Sequence, residues 1–227
     1  MKYFGIRIKW EKNSIQVRPG KYQTKDYTIK GDWSSAGYWY SMAALANKSN
    51  ILLPNLFLDS YQADEIINNL GKKFGIESNI SNGIFIQKKK EKKIKKLSFD
   101  FTDCPDLAPT IIVLCAALNI SFRVTGLENL QIKESNRIKA LRQELKKIGI
   151  RLTKSSNYWI MEGKMDLSKK ITVNTYNDHR IAMAFAPLAL IAPIRIKNPS
   201  VVKKSYPNFW KDLQKAGFKI KSISNKS

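Results

Sequence analysis

Residues 106–152 read "DLAPTIIVLCAALNISFRVTGLENLQIKESNRIKALRQELKKIGIRL" and contain the buried and the amphipathic helix of one structural unit. The segment opens with Asp106 to Asn119, apolar on nearly every side, and a helix of that kind belongs inside a molecule. It closes with a helix of a different character. From Glu134 to Lys147, the apolar Ile138, Leu141 and Leu145 recur at helical spacing among charged residues, and Lys146 and Lys147 sit in the last turn, where cations suit the dipole. Gly149 supplies a stop signal, and "IGIRL" begins a strand.

The unit recurs. A Gly followed by an aliphatic or aromatic residue opens a strand pair at Gly5, Gly75, Gly149 and Gly217, at intervals of 70, 74 and 68 residues. The amphipathic helix has counterparts in "SYQADEIINNLGKK" (60–73) and "SYPNFWKDLQK" (205–215). The buried helix has counterparts in "SSAGYWYSMAALAN" (34–47) and "DHRIAMAFAPLAL" (178–190). Each buried segment carries an Asp at or just before its start, Asp32, Asp106 and Asp178, at spacings of 74 and 72 residues. The chain therefore reads as an α+β protein: three nearly complete βαβαββ units packed around buried parallel helices, spanning 30–227. Residues 1–29 read as the tail of a preceding unit, the end of a helix and a hairpin of "IRIKW" and "SIQVR". A unit without its first half cannot complete its own core, so the expectation is a fragment of a longer chain.

A chain of 227 residues, 43% of them hydrophobic, buries a substantial core as one large domain or two small ones. No apolar run reaches the roughly 18 residues needed to span a bilayer, and the first residues lack a signal-peptide pattern, so the expected setting is a soluble, cytoplasmic one without a membrane partner. Cys104 and Cys115 form neither a CxxC pair nor a zinc-like cluster and read as buried thiols; no metal site is expected. The net charge of +22 invites a polyanionic partner, nucleic acid or a phosphorylated metabolite. The densest basic run, Lys88 to Lys96, is read instead as a solvated hairpin arm between two strands. Lys, Ile and Asn are abundant together, as an AT-rich coding sequence gives.

If the three buried helices run parallel, their N-termini gather at one end with unpaired N–H groups and positive dipole ends, a place suited to anions. The pattern delivers Asp32, Ser34 and Ser35, then Asp106, then Asn177 to Arg180 there. Capping explains Asp32 and Ser34 as well as a ligand does. It does not explain Arg180, a cation in a first turn, which must bind a ligand or form an ion pair. His179, the only histidine, is the weaker candidate beside it. Lys133 and Arg137, four residues apart, would stack two like charges on one helix face, an arrangement suited to an anion lying between them.

These residues carry a resemblance. "KESNRIKALRQELKKIG" resembles the KExxR helix of the 5-enolpyruvylshikimate-3-phosphate synthase family (3-phosphoshikimate 1-carboxyvinyltransferase), and "YNDHRIAMAFAPLAL" resembles its NDHR signature. "GDWSSAGYW", "PDLAPT" and "KKSYPNFWKDL" match its other landmarks in order, so the similarity runs from about residue 1 to 220. The sister transferase acting on UDP-N-acetylglucosamine shares the repeat but is not expected to carry both motifs.

The resemblance implies the C-terminal half of a two-lobed enzyme of the shikimate pathway, serving chorismate and aromatic amino acid biosynthesis. That enzyme moves the enolpyruvyl group of phosphoenolpyruvate to the 5-hydroxyl of shikimate 3-phosphate, and the family needs no metal or organic cofactor. By resemblance, Asp106 accepts the hydroxyl proton, and Asn129 and Lys133 hold shikimate 3-phosphate. Glu134 moves protons at the enolpyruvyl methylene. Arg137, Arg180 and Lys204 grip phosphoenolpyruvate, and Lys204 is also a candidate proton donor. The family's N-terminal lysine-serine-arginine cluster, its glycine-rich segment with arginine and its Ser-Ser-Gln motif are not in this sequence. A separate N-terminal half is thus an expected partner, and the chain alone is expected to be inactive. Two alternatives stand beside this reading, a basic nucleic-acid-binding protein with a related repeat and a non-catalytic remnant. The sequence offers no glycine-rich RNA-binding loop or aromatic platform in favour of the first.

Overall fold

A computed structural model describes residues 1–58, 60–89, 94–168 and 170–223, and its contacts divide the chain into two compact units, Met1–Lys30 and Gly31–Ser227. The first unit begins with a 3-10 turn, Lys2–Phe4, stopped by Gly5 in the left-handed region at φ 87°. Strands β1 (Ile8–Glu11) and β2 (Ser14–Val17) then form an antiparallel hairpin with Trp10 opposite Ile15, both exposed. Tyr3 donates its hydroxyl to the Asp26 carbonyl at 2.7 Å, tying the start of the unit to its end.

In the second unit, α1 (Trp33–Leu45) leads to β3 (Asn50–Leu53), a 3-10 turn at Ala63–Ile66 that runs into α2 (Ile67–Lys73), and the strands β4 (Ile76–Ser81) and β5 (Gly83–Lys88). The same succession follows in β6 (Lys96–Asp100), α3 (Ala108–Ala117), β7 (Ser121–Thr125), α4 (Arg137–Lys147), β8 (Ile150–Ser155) and β9 (Tyr158–Gly163). It begins again with β10 (Ile171–Val173), α5 (His179–Phe185), β11 (Ile194–Ile196) and α6 (Phe209–Lys215). The strands form an antiparallel sheet β3-β5-β4, a sheet β6-β7-β9-β8 in which β6 and β7 are parallel, and a parallel pair β10-β11.

The helices divide as their composition dictates. Every residue from Ala108 to Ala116 in α3 is buried, and α1 and α5 are nearly as enclosed. On α4, by contrast, Ile138, Leu141 and Leu145 face inward and Lys139, Arg142 and Lys146 face water. Gly37 lets α1 approach the start of α3, since a Cβ there would come within 2.8 Å of a Leu107 methyl. The glycines after α2, α4 and α6 lie at φ 80°, 85° and 97°, one residue past the cap, where a side chain is disfavoured. Among the described residues no helix is long and apolar enough to cross a membrane. Cys104 and Cys115 are free and buried, and burial pushes the Cys104 thiol up to about 12.

Four expectations need correction. No strand follows Gly217 among the described residues, because a strand requires a neighbouring edge and Phe218 to Ile223 pair with none. The helix at 178–190 is α-helical only to Phe185 and continues as a 3-10 turn, Ala186–Leu190, where Pro187 has no N–H to give. Among the described residues, the first unit of the lobe lacks an opening strand before α1. Strands β5 and β6, which flank the run Lys88 to Lys96, do not pair as a hairpin but lie in different sheets; residues 90–93 of that run lie outside the described ones. Nor is Lys88 merely solvated, for its ammonium donates to the carbonyls of Ala44 and Ala46 at 2.9 and 2.6 Å and closes the C-terminus of α1.

Candidate active site

Of the three aspartates that begin the inner helices, two are caps and one is not. Asp32 accepts the Ser35 N–H at 2.8 Å, and Asp178 accepts the Arg180 N–H at 2.9 Å. Asp106 lies inside a 3-10 turn, Pro105–Leu107, ahead of α3 and makes no cap bond among the described residues. Its carboxylate collects cations instead: Arg137 Nη1 at 2.9 Å and Lys133 Nζ at 3.7 Å on one oxygen, Arg180 Nη2 at 2.8 Å on the other. The anion that the Lys133/Arg137 pair called for is thus a side chain of this protein. Lys133 and Arg137 do not share a helix face, however, because Lys133 is extended and α4 begins only at Arg137.

Arg137 organises the cluster. It is 1% exposed, and its three donor nitrogens are spent on three carboxylates: Nε on Asp178 at 2.8 Å, Nη1 on Asp106 and Nη2 on Glu134. Asp178, 0% exposed, also receives the Ser135 hydroxyl at 2.9 Å. Three cations, Lys133, Arg137 and Arg180, face three carboxylates, Asp106, Glu134 and Asp178, so the cluster is charge-balanced within a strongly basic chain. The arginine in the first turn of α5 is placed by its ion pair with Asp106, which offsets the unfavourable end of the dipole.

The remaining predicted residues lie at different distances from this centre. Lys204 ends a 3-10 turn, Pro199–Lys204, is exposed, and donates to the Asn177 carbonyl at 3.4 Å. Asn129 is exposed on the 3-10 turn Glu128–Ile132 that precedes Lys133. Ser34 donates to Asp64, a buried carboxylate that sequence reasoning missed and that burial pushes above its ordinary range. Gln62, also missed, brackets the start of α1 by accepting the Trp33 N–H at 2.8 Å and donating to the Gly31 carbonyl at 2.9 Å. The polar pair Gln62-x-Asp64 ahead of the amphipathic helix α2 was its only signal. Tyr38 is buried on α1, and burial pushes its phenol upward against the pull of Arg180. Among the described residues, no group of three or more His, Cys, Asp or Glu side chains could hold a metal ion.

His179 is buried, its Nδ1 makes no hydrogen bond among the described residues, and Glu134 Oε1 lies 3.8 Å away. Burial, followed by the neighbouring Arg180, lowers its pKa below the ordinary 6.5, against the pull of Asp178 and Glu134. The unfolded chain therefore takes the proton first as pH falls, and stability drops between 6.5 and the lowered folded value while staying level above it. The expected result is a fall in the urea midpoint from about pH 7 to about pH 5.5 that is shallower in His179→Gln. An identical slope in the variant would assign the loss to other groups.

Comparison with known proteins places this geometry. The chain superposes on an EPSP synthase from Acinetobacter baumannii with a TM-score of 0.75 at 26% identity, over 98% of this chain and 54% of that one. It also superposes on the enolpyruvyl transferase NikO from Streptomyces tendae with a TM-score of 0.64 at 17% identity, over 97% and 52%, a likeness of fold alone. The fold is that of an enolpyruvyl transferase. The sequence model of EPSP synthase (3-phosphoshikimate 1-carboxyvinyltransferase) matches residues 1–213. The 3-phosphoshikimate 1-carboxyvinyltransferases of Bacteroides fragilis (strain YCH46) and Clostridium novyi (strain NT) are 44% and 35% identical to the chain over 97% and 96% of its length. The chain belongs to the EPSP synthase family, and it spans about half the length of the curated relatives it matches.

Proposed function

We propose that this lobe supplies half of a 3-phosphoshikimate 1-carboxyvinyltransferase site, moving the enolpyruvyl group of phosphoenolpyruvate to the 5-hydroxyl of shikimate 3-phosphate with release of phosphate. The observation that carries the reading is Asp106 held between Arg180 on one oxygen and Arg137 with Lys133 on the other. A carboxylate so surrounded has both oxygens occupied, and cations so engaged are not yet committed to a substrate. A phosphorylated, carboxylated substrate competes for Arg180 and Lys133, the two cations of the three that are more than a tenth exposed. As they turn to it, the Asp106 oxygen that held Arg180 is freed to take the proton of the attacking hydroxyl, while the other keeps Arg137. Arg137 stays behind, enclosed by Asp178 and Glu134.

In this scheme the addition forms a tetrahedral ketal phosphate, and elimination then expels inorganic phosphate. In the same scheme Glu134, 38% exposed, moves the methylene proton in both directions. Lys204 and Asn129, on exposed turns, supply further contacts to phosphate groups. The cations act by electrostatic stabilisation of charge that develops during the reaction.

The test is complementation with the half of a relative that this chain does not span. Phosphate release that depends on both substrates is expected from the mixture, and none from the 227-residue chain alone. Turnover by the chain alone would remove the need for a second half, and an inert mixture of two folded halves would count against the reaction itself.

A further inference from the structure

Glu144 is a buried carboxylate that the mechanism leaves unused. It lies seven residues, two helical turns, after Arg137 on α4 and is 2% exposed. Its oxygens receive the Tyr176 hydroxyl, the Lys147 ammonium and the backbone N–H of Asn174 at 3.1 Å, while Lys147 reaches the Thr172 carbonyl at 3.3 Å. All these partners outside α4 belong to β10 or to the short connection from it to α5. That connection is conformationally unusual, since Tyr176 and Asn177 stand in succession at φ 54° and 56°. Two adjacent non-glycine residues in the left-handed region are disfavoured and persist only where the surroundings hold them. Asn198 Nδ2 holds Asn177 Oδ1 at 2.8 Å from the far side, and Asp178 N–H closes onto the Thr175 carbonyl at 2.8 Å. The next residues are Asp178 and Arg180.

Helix α4 thus grips the turn twice, with Glu144 at its entry and Arg137 at its exit. We infer that Glu144 is a positioning residue, holding Tyr176 and Asn177 in the left-handed turn that delivers Asp178 to Arg137 and Arg180 to Asp106. It touches none of the reacting groups and acts through the backbone of the turn. The charge of Glu144 matters less than its oxygens. A glutamine keeps one carbonyl oxygen for the Asn174 N–H and turns its amide to the Tyr176 hydroxyl oxygen, which can accept, so both contacts survive with one reversed, while the ion pair with Lys147, whose side chain is 40% exposed, is lost. The consequence for catalysis rests on the transferase reading above; the consequence for the turn does not.

The experiment separates the two. In the 227-residue chain, the Arg180 amide, which donates to the Asp178 cap, is followed by NMR in the wild type, Glu144→Ala and Glu144→Gln. Displacement in Glu144→Ala, recovery in Glu144→Gln and unmoved amides from Tyr40 to Ala44 in α1 are the expected result. An Arg180 amide unmoved in folded Glu144→Ala overturns the inference. In the complemented enzyme, Glu144→Ala is expected to raise KM for phosphoenolpyruvate about tenfold or more, with Glu144→Gln recovering most of it, as a displaced binding group requires. An unchanged KM in an active Glu144→Ala enzyme also overturns the inference. If even the wild-type mixture is inert, the reaction assignment fails while the NMR result still decides the turn.

Discussion

Arg137→Ala is expected to lose about 3–5 kcal/mol of folding stability, the largest effect of any single change considered for this chain. The substitution leaves Asp178, 0% exposed, with a negative charge that loses its guanidinium partner, and takes from Asp106 and Glu134 one cation each. Arg137→Lys recovers only part of the loss, because an ammonium cannot address three carboxylates from the three sides of a planar fork. Urea denaturation measures the effect, and a double change supplies the check. Asp178→Asn retains a capping side chain for α5 and removes the stranded charge, so Arg137→Ala with Asp178→Asn is expected to be more stable than the two separate losses added together. Strict additivity would mean that the ion pair at 2.8 Å contributes nothing and that the arginine matters only as packing.

Arg180→Ala is expected to behave in the opposite way, keeping the fold and losing the substrate. Arg180 is 12% exposed, and its partner Asp106 retains Arg137 and Lys133 when it is gone. If Arg180 turns to phosphoenolpyruvate, its removal deletes a charge-assisted contact of about 1.5–3 kcal/mol, roughly 10- to 150-fold in affinity. Arg180→Lys recovers little where a planar, bidentate grip is required. Lys89→Ala serves as the control, since Lys89 is exposed and pairs with exposed Glu77 at 3.4 Å on the surface. The measurement is KM for phosphoenolpyruvate in the complemented enzyme, with circular dichroism for the fold. Equal, small effects of Arg180→Ala and Lys89→Ala would reduce Arg180 to a structural partner of Asp106.

The two arginines look alike in sequence, each in the first turn of a helix beside an acidic residue, and only the structure separates them. What was legible was whatever is local. Glycine stops, the even apolarity of "APTIIVLCAA" and the striped pattern of α4 fix where elements begin and which face they bury. The meeting of Asp106 with Arg180 was legible through the repeat, and Lys133, Glu134 and Arg137 joined them only through the family resemblance. Whether an aspartate caps its helix or collects cations was not, since Asp32 and Asp106 occupy matching places and differ in the turn geometry ahead of the helix. Glu144 and Lys88 were invisible for a related reason. Each reads as one more surface charge on an amphipathic stretch, and its partners in other elements lie 30 to 44 residues away along the chain.

The guanidinium of Arg137 also has a bearing on the order in which the lobe can assemble. It joins groups 31 and 41 residues distant, Asp106 from the preceding inner helix and Asp178 from the following one, and it comes from an outer helix between them. None of these groups is at ease in a half-formed lobe: an intermediate with α3 and α4 docked but α5 still loose would enclose the arginine with one carboxylate missing. Closing the last loop therefore completes a bond network as well as a hydrophobic contact, and the free energy of that network arrives only at the final step. Late, all-or-none gains of this kind sharpen cooperativity, because they penalise partial structures without slowing the early collapse. The cluster around Asp106 thereby acts as a checkpoint, favouring only those molecules in which α3, α4 and α5 have all arrived.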